Sequence, residues 1–448
     1  MKLKNLTICI ILFFTTSCID STNEYNENKI IQLPPRIEKQ IIKEKFSDLP
    51  FESKKEIKIA MLLPLTDKHA KIGKDLYNAA KLALYDHGDP RIVIYPIDTK
   101  GSSFGAISAA KEAIEKNVNI IIGPVFSANV KAIKPLAEEN KLTIFTFSND
   151  TNIAEENIYV LGLGVEQQVD RVVQYAKNQG YEYFASIAPA NQYGSKIAFQ
   201  LRESAGTSDK TLKTEFYNTE KDLDSNVRRV VKTLSESPVN EEGIAIFQED
   251  ITEQKLIYEE ERGSISDNDI LEEKDKFFRE TRDIDDYKRA IVIGEGSTKL
   301  NDIAKILTKR NLSKDIKLLG LSVWDKNHYL NNPLYENSWY ADYAKENIKI
   351  FESHFYENFD YDPPRISILA YDIVSVISAL ASYHDENDEF TLQAINNPVG
   401  FSGVSGVFRF REDGVVERLL EVYEVINHYG NSLDPAPFQF EVEENTKF

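Results

Sequence analysis

From residue 57 to about residue 324, short apolar runs rich in β-branched residues alternate with longer stretches whose apolar residues recur at helical spacing. IKIAMLL (57–63), RIVIYPI (91–97), VNIIIG (118–123) and LTIFTF (142–147) are near-continuous apolar runs, as expected of strands covered on both faces. Between them, KDLYNAAKLALYD (74–86) carries Leu76, Ala80, Ala83 and Leu84 on one helical face, and GAISAAKEAIEKN (105–117) has an alanine-rich face. Strands separated by helices cannot pair as tight hairpins. Each must cross over, which dictates parallel sheets flanked by helices. IYVLGLG (158–164) is expected to be a strand that leaves the first sheet.

A second series begins with EQQVDRVVQYAKNQG (166–180) and YFASIAP (183–189). It continues through TLKTEFYN (211–218), GIAIF (243–247), RAIVIG (289–294) and IKLLGLSVW (316–324), with helices expected at 193–204, 223–236 and 299–310. WYADY (339–343) reads as a return segment, helices follow at 345–358 and 365–383, and 406–426 reads as a hairpin around Asp413-Gly414. A chain of 448 residues exceeds one hydrophobic core. The expected fold class is therefore α/β: a clamshell of two doubly wound parallel-sheet lobes joined by a multi-crossover hinge. Lobe 1 is expected over 57–162 and 341–398, and lobe 2 over 163–340 and 399–448. Gly162 and Gly164 are the expected hinge glycines, giving backbone freedom at a crossover. An acidic insertion, 248–288, interrupts lobe 2. It reads as a solvated insertion or a partner surface.

The N-terminus reads differently. Lys2 and Lys4 precede an apolar run from Leu6 to Phe14 that is too short to span a bilayer and fits a signal-peptide core, so residues 1–17 are expected to be removed. Thr16 and Ser17 lead into Cys18, and the stretch resembles a bacterial lipoprotein signal, although Thr15 stands where that pattern prefers Leu. The resemblance implies a diacylglyceryl group on Cys18. Ile19 follows, where Asp would mark retention at the inner membrane, so the resemblance places the chain on the periplasmic face of the outer membrane. Residues 18–56 are polar and aperiodic around Pro34-Pro35 and read as a tether. As a flexible coil it would average roughly 35 Å end to end.

Charge and chemistry narrow the function. The formal net charge is −19, so the basic footprint that a nucleic-acid binder needs is missing. The two cysteines, Cys9 and Cys18, both precede the folded body, which excludes a disulfide framework or thiolate metal site there. The six histidines are scattered without metal-ligand spacing, and no cofactor or metal is expected. Gly101-Ser102-Ser103-Phe104-Gly105 matches a nucleophile-elbow pattern, but Asp98-Thr99-Lys100 separate it from the strand, which favours a loop feeding a helix. Gly294-Glu295-Gly296 lacks the Gly-Lys-Ser/Thr of a phosphate loop. The chain is not expected to be an enzyme.

Binding is the better reading. In open α/β sheets ligands sit beyond the carboxyl ends of strands. Ser127 after Gly123-Pro124 ends one strand, and Thr146, Ser148, Asn149 and Asp150 end the next. From the second series come Tyr193, Glu295 and Trp324. Taken singly, each could be a cap or packing residue. Together they outline a cleft able to cradle a carboxylate.

IAMLLPL (59–65), IIGPVFS (121–127), NQYG (191–194) and GFSGVSGVFRFREDG (400–414) resemble the type I periplasmic-binding-protein superfamily, in its leucine/isoleucine/valine-binding branch. KIGKDLYNAAKLALYDHGDP (71–90), FSND (147–150), EQQVDRVVQYA (166–176), PPRISILAYD (363–372) and DPAP (434–437) are similar to penicillin-binding protein activators of alphaproteobacterial type. That resemblance covers nearly everything from 57 to 438. It implies a non-enzymatic lipoprotein that contacts and stimulates a peptidoglycan synthase. Better-known activators also carry a helical-repeat domain, whereas only tether and clamshell are expected here. The alternative it leaves open is a receptor delivering a small amino acid or peptide to an ABC permease, with Ser127 and Ser148 at ligand-holding positions. A third class is a sensory or scaffolding lobe pair with an empty cleft.

Overall fold

The structure is a computed structural model that describes residues 31–32, 55–87, 89–206, 211–236, 288–308, 316–383 and 390–441. The expected signal peptide, Cys18, most of the tether, the strand at 243–247 and residues 248–287 of the acidic insertion lie outside the described residues.

The first sheet is built from β2 (Ile57–Leu63), β3 (Ile92–Asp98), β4 (Ile120–Ile122), β5 (Thr143–Thr146) and β6 (Ile158–Val160), in the order β3-β2-β4-β5-β6. β1 (Ile31–Gln32) belongs elsewhere and is taken up below. All pairings in the first sheet are parallel. The connecting helices are α1 (Ala70–His87), α2 (Ser103–Glu115) and α3 (Ser127–Glu139). Period-2 alternation splits β2 between two cores. Ile57, Ile59, Met61 and Leu63 pack with Leu76, Ala79, Ala80 and Ala83 of α1, while Ala60 and Leu62 face Ala106, Ala109, Ala110 and Ala113 of α2. The alanine-rich helical face lets α2 sit close to the sheet. Ser102 caps α2, its Oγ accepting from Gly105 N at 3.1 Å, so the Gly-Ser-Ser-Phe-Gly run is a helix start.

Contrary to expectation, IYV at 158–160 does not leave the first sheet; it pairs with β5 as the edge strand. The chain departs just after it, into α4 (Val165–Asn178). The second sheet comprises β7 (Tyr181–Pro189), β8 (Thr211–Tyr217), β9 (Lys288–Ile293), β10 (Ile316–Gly320) and β11 (Trp339–Asp342), in the order β11-β10-β9-β7-β8. Its helices are α5 (Gln192–Ala205), α6 (Glu220–Glu236) and α7 (Lys299–Thr308). The chain then returns through α8 (Lys345–Phe359) and α9 (Ser367–Ser382). α9 docks on the first sheet's side, where Tyr371 donates to Asp86 of α1 at 2.8 Å.

The expected hairpin around Asp413-Gly414 is present but spans only 406–418, because 421–426 leaves for the second sheet. β12 (Phe401–Gly403), β13 (Gly406–Phe410) and β14 (Val416–Arg418) form a small antiparallel sheet. Although the sequence assigned these residues to lobe 2, they pack on the first sheet. Phe410 meets Phe145 and Tyr159 edge-on, and Val160 N donates to Gly414 O at 2.9 Å. β1 adds to this small sheet beside β12, so the tether touches the body at Ile31 and Gln32. β15 (Glu421–Ile426) and β16 (Tyr429–Asp434) then join the second sheet antiparallel, at the β11 edge. The second sheet is therefore mixed, not all-parallel.

In both sheets the chain builds outward from its first strand one way and then the other, giving switch points between β2 and β4 and between β7 and β9. The loops after β4 and β7 are thus placed to hold ligands.

Candidate functional site

The loop after β4 needs Gly123: its φ is +100°, and a Cβ there would lie 2.3 Å from Leu62 O. The loop after β5 is tied down by a relay. Thr146 Oγ1 donates to Pro124 O at 2.6 Å and accepts from Ser148 N at 3.1 Å; Ser148 Oγ accepts from Asp150 N, also at 3.1 Å. Asp150 in turn caps the 3-10 turn Thr151–Ile153. Thr146 is fully buried, so its hydroxyl fixes the loop and does not line the cleft.

Ser127, Ser148, Asn149 and Asp150 come together in one cavity of about 560 Å³. Its other walls are Phe126, Phe147, Leu163, Ser322, Tyr343, Arg365 and Leu369. These come from the ends of β4 and β5, from crossovers between the sheets, and from the start of α9. α3 begins here with Phe126 at its N-cap and no side-chain cap, so the Ser127 and Ala128 amides have no backbone partner among the described residues. Arg365 pairs with buried Asp342, donates weakly to Ser322 O at 3.4 Å, and lies 4.9 Å over the Tyr343 ring. The guanidinium of buried Arg418 stands 5.8 Å from the same ring. Arg418 Nε and Nη1 have no hydrogen-bond partner among the described residues.

A second, adjoining cavity of about 320 Å³ shares Asn149, Asp150, Leu163 and Ser322, and adds Gln168, Tyr193 and Lys196. Lys196 Nζ reaches from α5 to Glu166 at 3.0 Å and to Asp150 at 3.6 Å, and it also donates to Thr151 Oγ1. The cleft is bridged by the protein's own ion pairs. Gln168 adds a second tie within the α4 side, accepting from Ser322 N at 2.8 Å. Burial, with the Glu295 and Glu166 charges, pushes the Tyr193 hydroxyl up to about 12, so it stays a neutral donor.

Glu295 and Trp324 lie behind the cleft and line neither cavity. Glu295 accepts from Tyr217 Oη and from the Gly296 and Ser297 amides. Burial opposes its charge, but those bonds outweigh burial and hold its carboxyl below the usual range. Trp324 is 1% exposed, donates from Nε1 to Glu295 O at 3.1 Å and packs on Tyr335. It is a core residue. The strand it was expected to end stops at Gly320, and a 3-10 turn folds the indole back.

Lys196, Tyr343 and Arg365 carry much of the cleft's chemistry and were missed by sequence reasoning. None sits at an expected strand end among loop-forming small residues. Gly162 and Gly164 do lie at a crossover, but neither takes a left-handed φ. A Cβ on Gly162 would stand 2.4 Å from Ser148 O, so close approach explains this glycine. Among the described residues there is no cluster able to hold a metal, and no helix long and apolar enough to cross a membrane.

A family profile described as "Periplasmic binding protein" matches residues 56–237. An uncharacterised protein of Rickettsia prowazekii is 25% identical over 185 residues, 41% of this chain and 48% of that protein. The penicillin-binding protein activator LpoA of Vibrio cholerae is 25% identical over 162 residues, 35% of this chain and 26% of that protein. The matched regions thus span about half and about a quarter of the length of those relatives. The crystal structure of an ABC-type branched-chain amino acid transporter protein from Rhodopseudomonas palustris superposes with a TM-score of 0.61 at 15% identity, covering 85% of this chain and 95% of that one. With two α/β units, parallel strands bordering a shared cleft and three crossovers between them, the chain has the type I periplasmic-binding-protein fold.

Proposed function

We propose that the protein is a non-enzymatic, periplasmic envelope lipoprotein that regulates a peptidoglycan synthase by docking to it. The observation that carries this reading is the Lys196 bridge to Asp150 and Thr151, by which the protein's own side chains tie the two sides of the cleft. A transport receptor uses its solute to close; a body tied by its own ion pairs is suited to present a fixed surface. The similarity to LpoA over 162 residues supports a synthase as the partner. Lipidation of Cys18 would hold the body at the outer membrane on its tether, with the crossovers at 161–164, 342–345 and 418–421 as its hinge.

A second reading, a solute receptor for an ABC permease, is favoured by the 560 Å³ cavity, which is large enough for a small ligand. The test is in-cell crosslinking of the tagged full-length protein with mass-spectrometric identification of what it captures. Recovery of a penicillin-binding protein is the expected result. Recovery of an ABC permease in its place overturns the regulator reading and favours the receptor.

A further inference from the structure

The polar groups lining the larger cavity are unequal in kind. Donors are in surplus. The Ser127 and Ala128 amides open α3 without a capping side chain. Ser148 Oγ accepts from Asp150 N, which leaves its own proton to donate. Arg365 spends two of its five N–H groups on Asp342 and Ser322 O. Arg418, 5.8 Å from the Tyr343 ring, adds a buried cation whose Nε and Nη1 have no hydrogen-bond partner among the described residues.

The negative charges are already paired; Glu166 Oε2 has no hydrogen-bond partner among the described residues, but Glu166 lines neither cavity. The acids nearest the cavities, Asp150 and Glu166, both face the Lys196 ammonium, whose side chain is 15% exposed. Lys131 also stands 3.9 Å from Asp150. An incoming ammonium would have to displace Lys196 from a partly buried pair and leave that lysine unpaired, which is costly. Phe126, Phe147, Leu163 and Leu369 give the wall an apolar side, beside the neutral polar Asn149 and Ser322.

We propose that the cleft binds a small monocarboxylate with an apolar body and no ammonium group, and that Lys196 sets this specificity by acting as an internal counter-ion. The carboxylate sits between the α3 amides, Ser148 and the free edge of Arg365; the apolar body lies against the phenylalanines. An amino acid of the same shape is refused because no acid is left to receive its cation. The inference stands whether the cleft reports to a synthase or to a permease, because it is read by binding and not by partner capture.

The test is calorimetric titration of the full-length protein with two probes that differ in one group, 4-methyl-2-oxopentanoate and leucine. The oxo acid is expected to bind at least about tenfold more tightly than leucine. Lys196→Met should free Asp150 and Glu166 and shrink that preference by about tenfold or more. Lys196→Gln, closer in shape, is the second variant should the first fail to fold. Arg365→Gln should weaken the oxo acid by at least about tenfold, with an unchanged circular dichroism spectrum. Leucine binding as tightly as the oxo acid, no binding of either at millimolar concentration, or a preference unmoved in a folded Lys196 variant overturns the proposal.

Discussion

The Lys196 ammonium on one side of the cleft stands 3.6 Å from the Asp150 carboxylate on the other. Both side chains are mostly buried, at 15% and 20% exposure, so solvent screens this pair less than a surface pair. Its contribution to closure should be about 1 kcal/mol, or about a fivefold shift between closed and open populations. Lys196→Met is expected to raise the radius of gyration in small-angle scattering, and concentrated salt should move the native protein the same way. A radius unchanged in both experiments would show that the cleft is held by packing alone.

The Gly162 contact gives a sharper prediction because its neighbours are backbone atoms. An added Cβ would meet Ser148 O at 2.4 Å, Ser148 C at 2.7 Å and Asn149 Cα at 2.8 Å. Neither strand of chain can give way cheaply, since Gly162 N also donates to Ser148 O at 3.0 Å. Gly162→Ala should therefore destabilise by about 1–3 kcal/mol in urea unfolding. Gly164→Ala is the control: its closest contacts are side-chain atoms at 3.1 Å and its φ is −63°, so the loss should stay under about 1 kcal/mol. Equal losses at both sites would mean that conformational freedom, and not close approach, governs this crossover.

These two glycines illustrate what the sequence could and could not convey. Their position between the two series of strands was legible, because the periodicity of the flanking runs marks where one sheet ends. The reason for them was not, since Ser148 approaches Gly162 only after folding. Likewise, the strand-end loops yielded Ser127, Ser148, Asn149 and Asp150, because a loop after an apolar strand announces itself. Tyr343 reaches the same cavity from the return crossover and Arg365 from the loop before α9, and nothing local marks either. Trp324 failed for a related reason. The apolar run continues past Gly320, but a Cβ on Gly320 would lie 2.2 Å from Trp324 Cδ2, so the chain turns and buries the indole. The Asp413-Gly414 turn was legible from its dipeptide, whereas alternation reveals a strand's two faces and never its partner sheet.

Cys18 lies outside the described residues, and its lipidation is tested in cells. The two acyl chains of a diacylglyceryl group suffice for stable membrane attachment, where a single chain would not. Cys18→Ser should abolish metabolic fatty-acid labelling and shift the protein from the membrane pellet to the soluble periplasmic fraction. Unchanged fractionation and unchanged cell-wall labelling in that variant would count against both the anchor and the proposed regulatory role.

His87 closes α1 with its ring edge-on to Tyr371, 5.7 Å between centroids, and neither ring nitrogen has a partner among the described residues. Burial lowers its pKa to about 4. The folded protein therefore keeps His87 neutral down to about pH 4, while the unfolded chain takes up a proton below about pH 6.5. Between those values the unfolded state binds more protons, so stability rises with pH across the window and is lost as pH falls through it. At pH 5 the loss attributable to His87 should be about 2 kcal/mol relative to neutral pH. His87→Phe keeps a ring against Tyr371 and removes the titration, so its unfolding free energy should fall by about 2 kcal/mol less than the native protein's between neutral pH and pH 5. Parallel pH profiles for the two proteins would show that His87 is protonated in the fold, and that its ring has found water or a partner that relieves its burial.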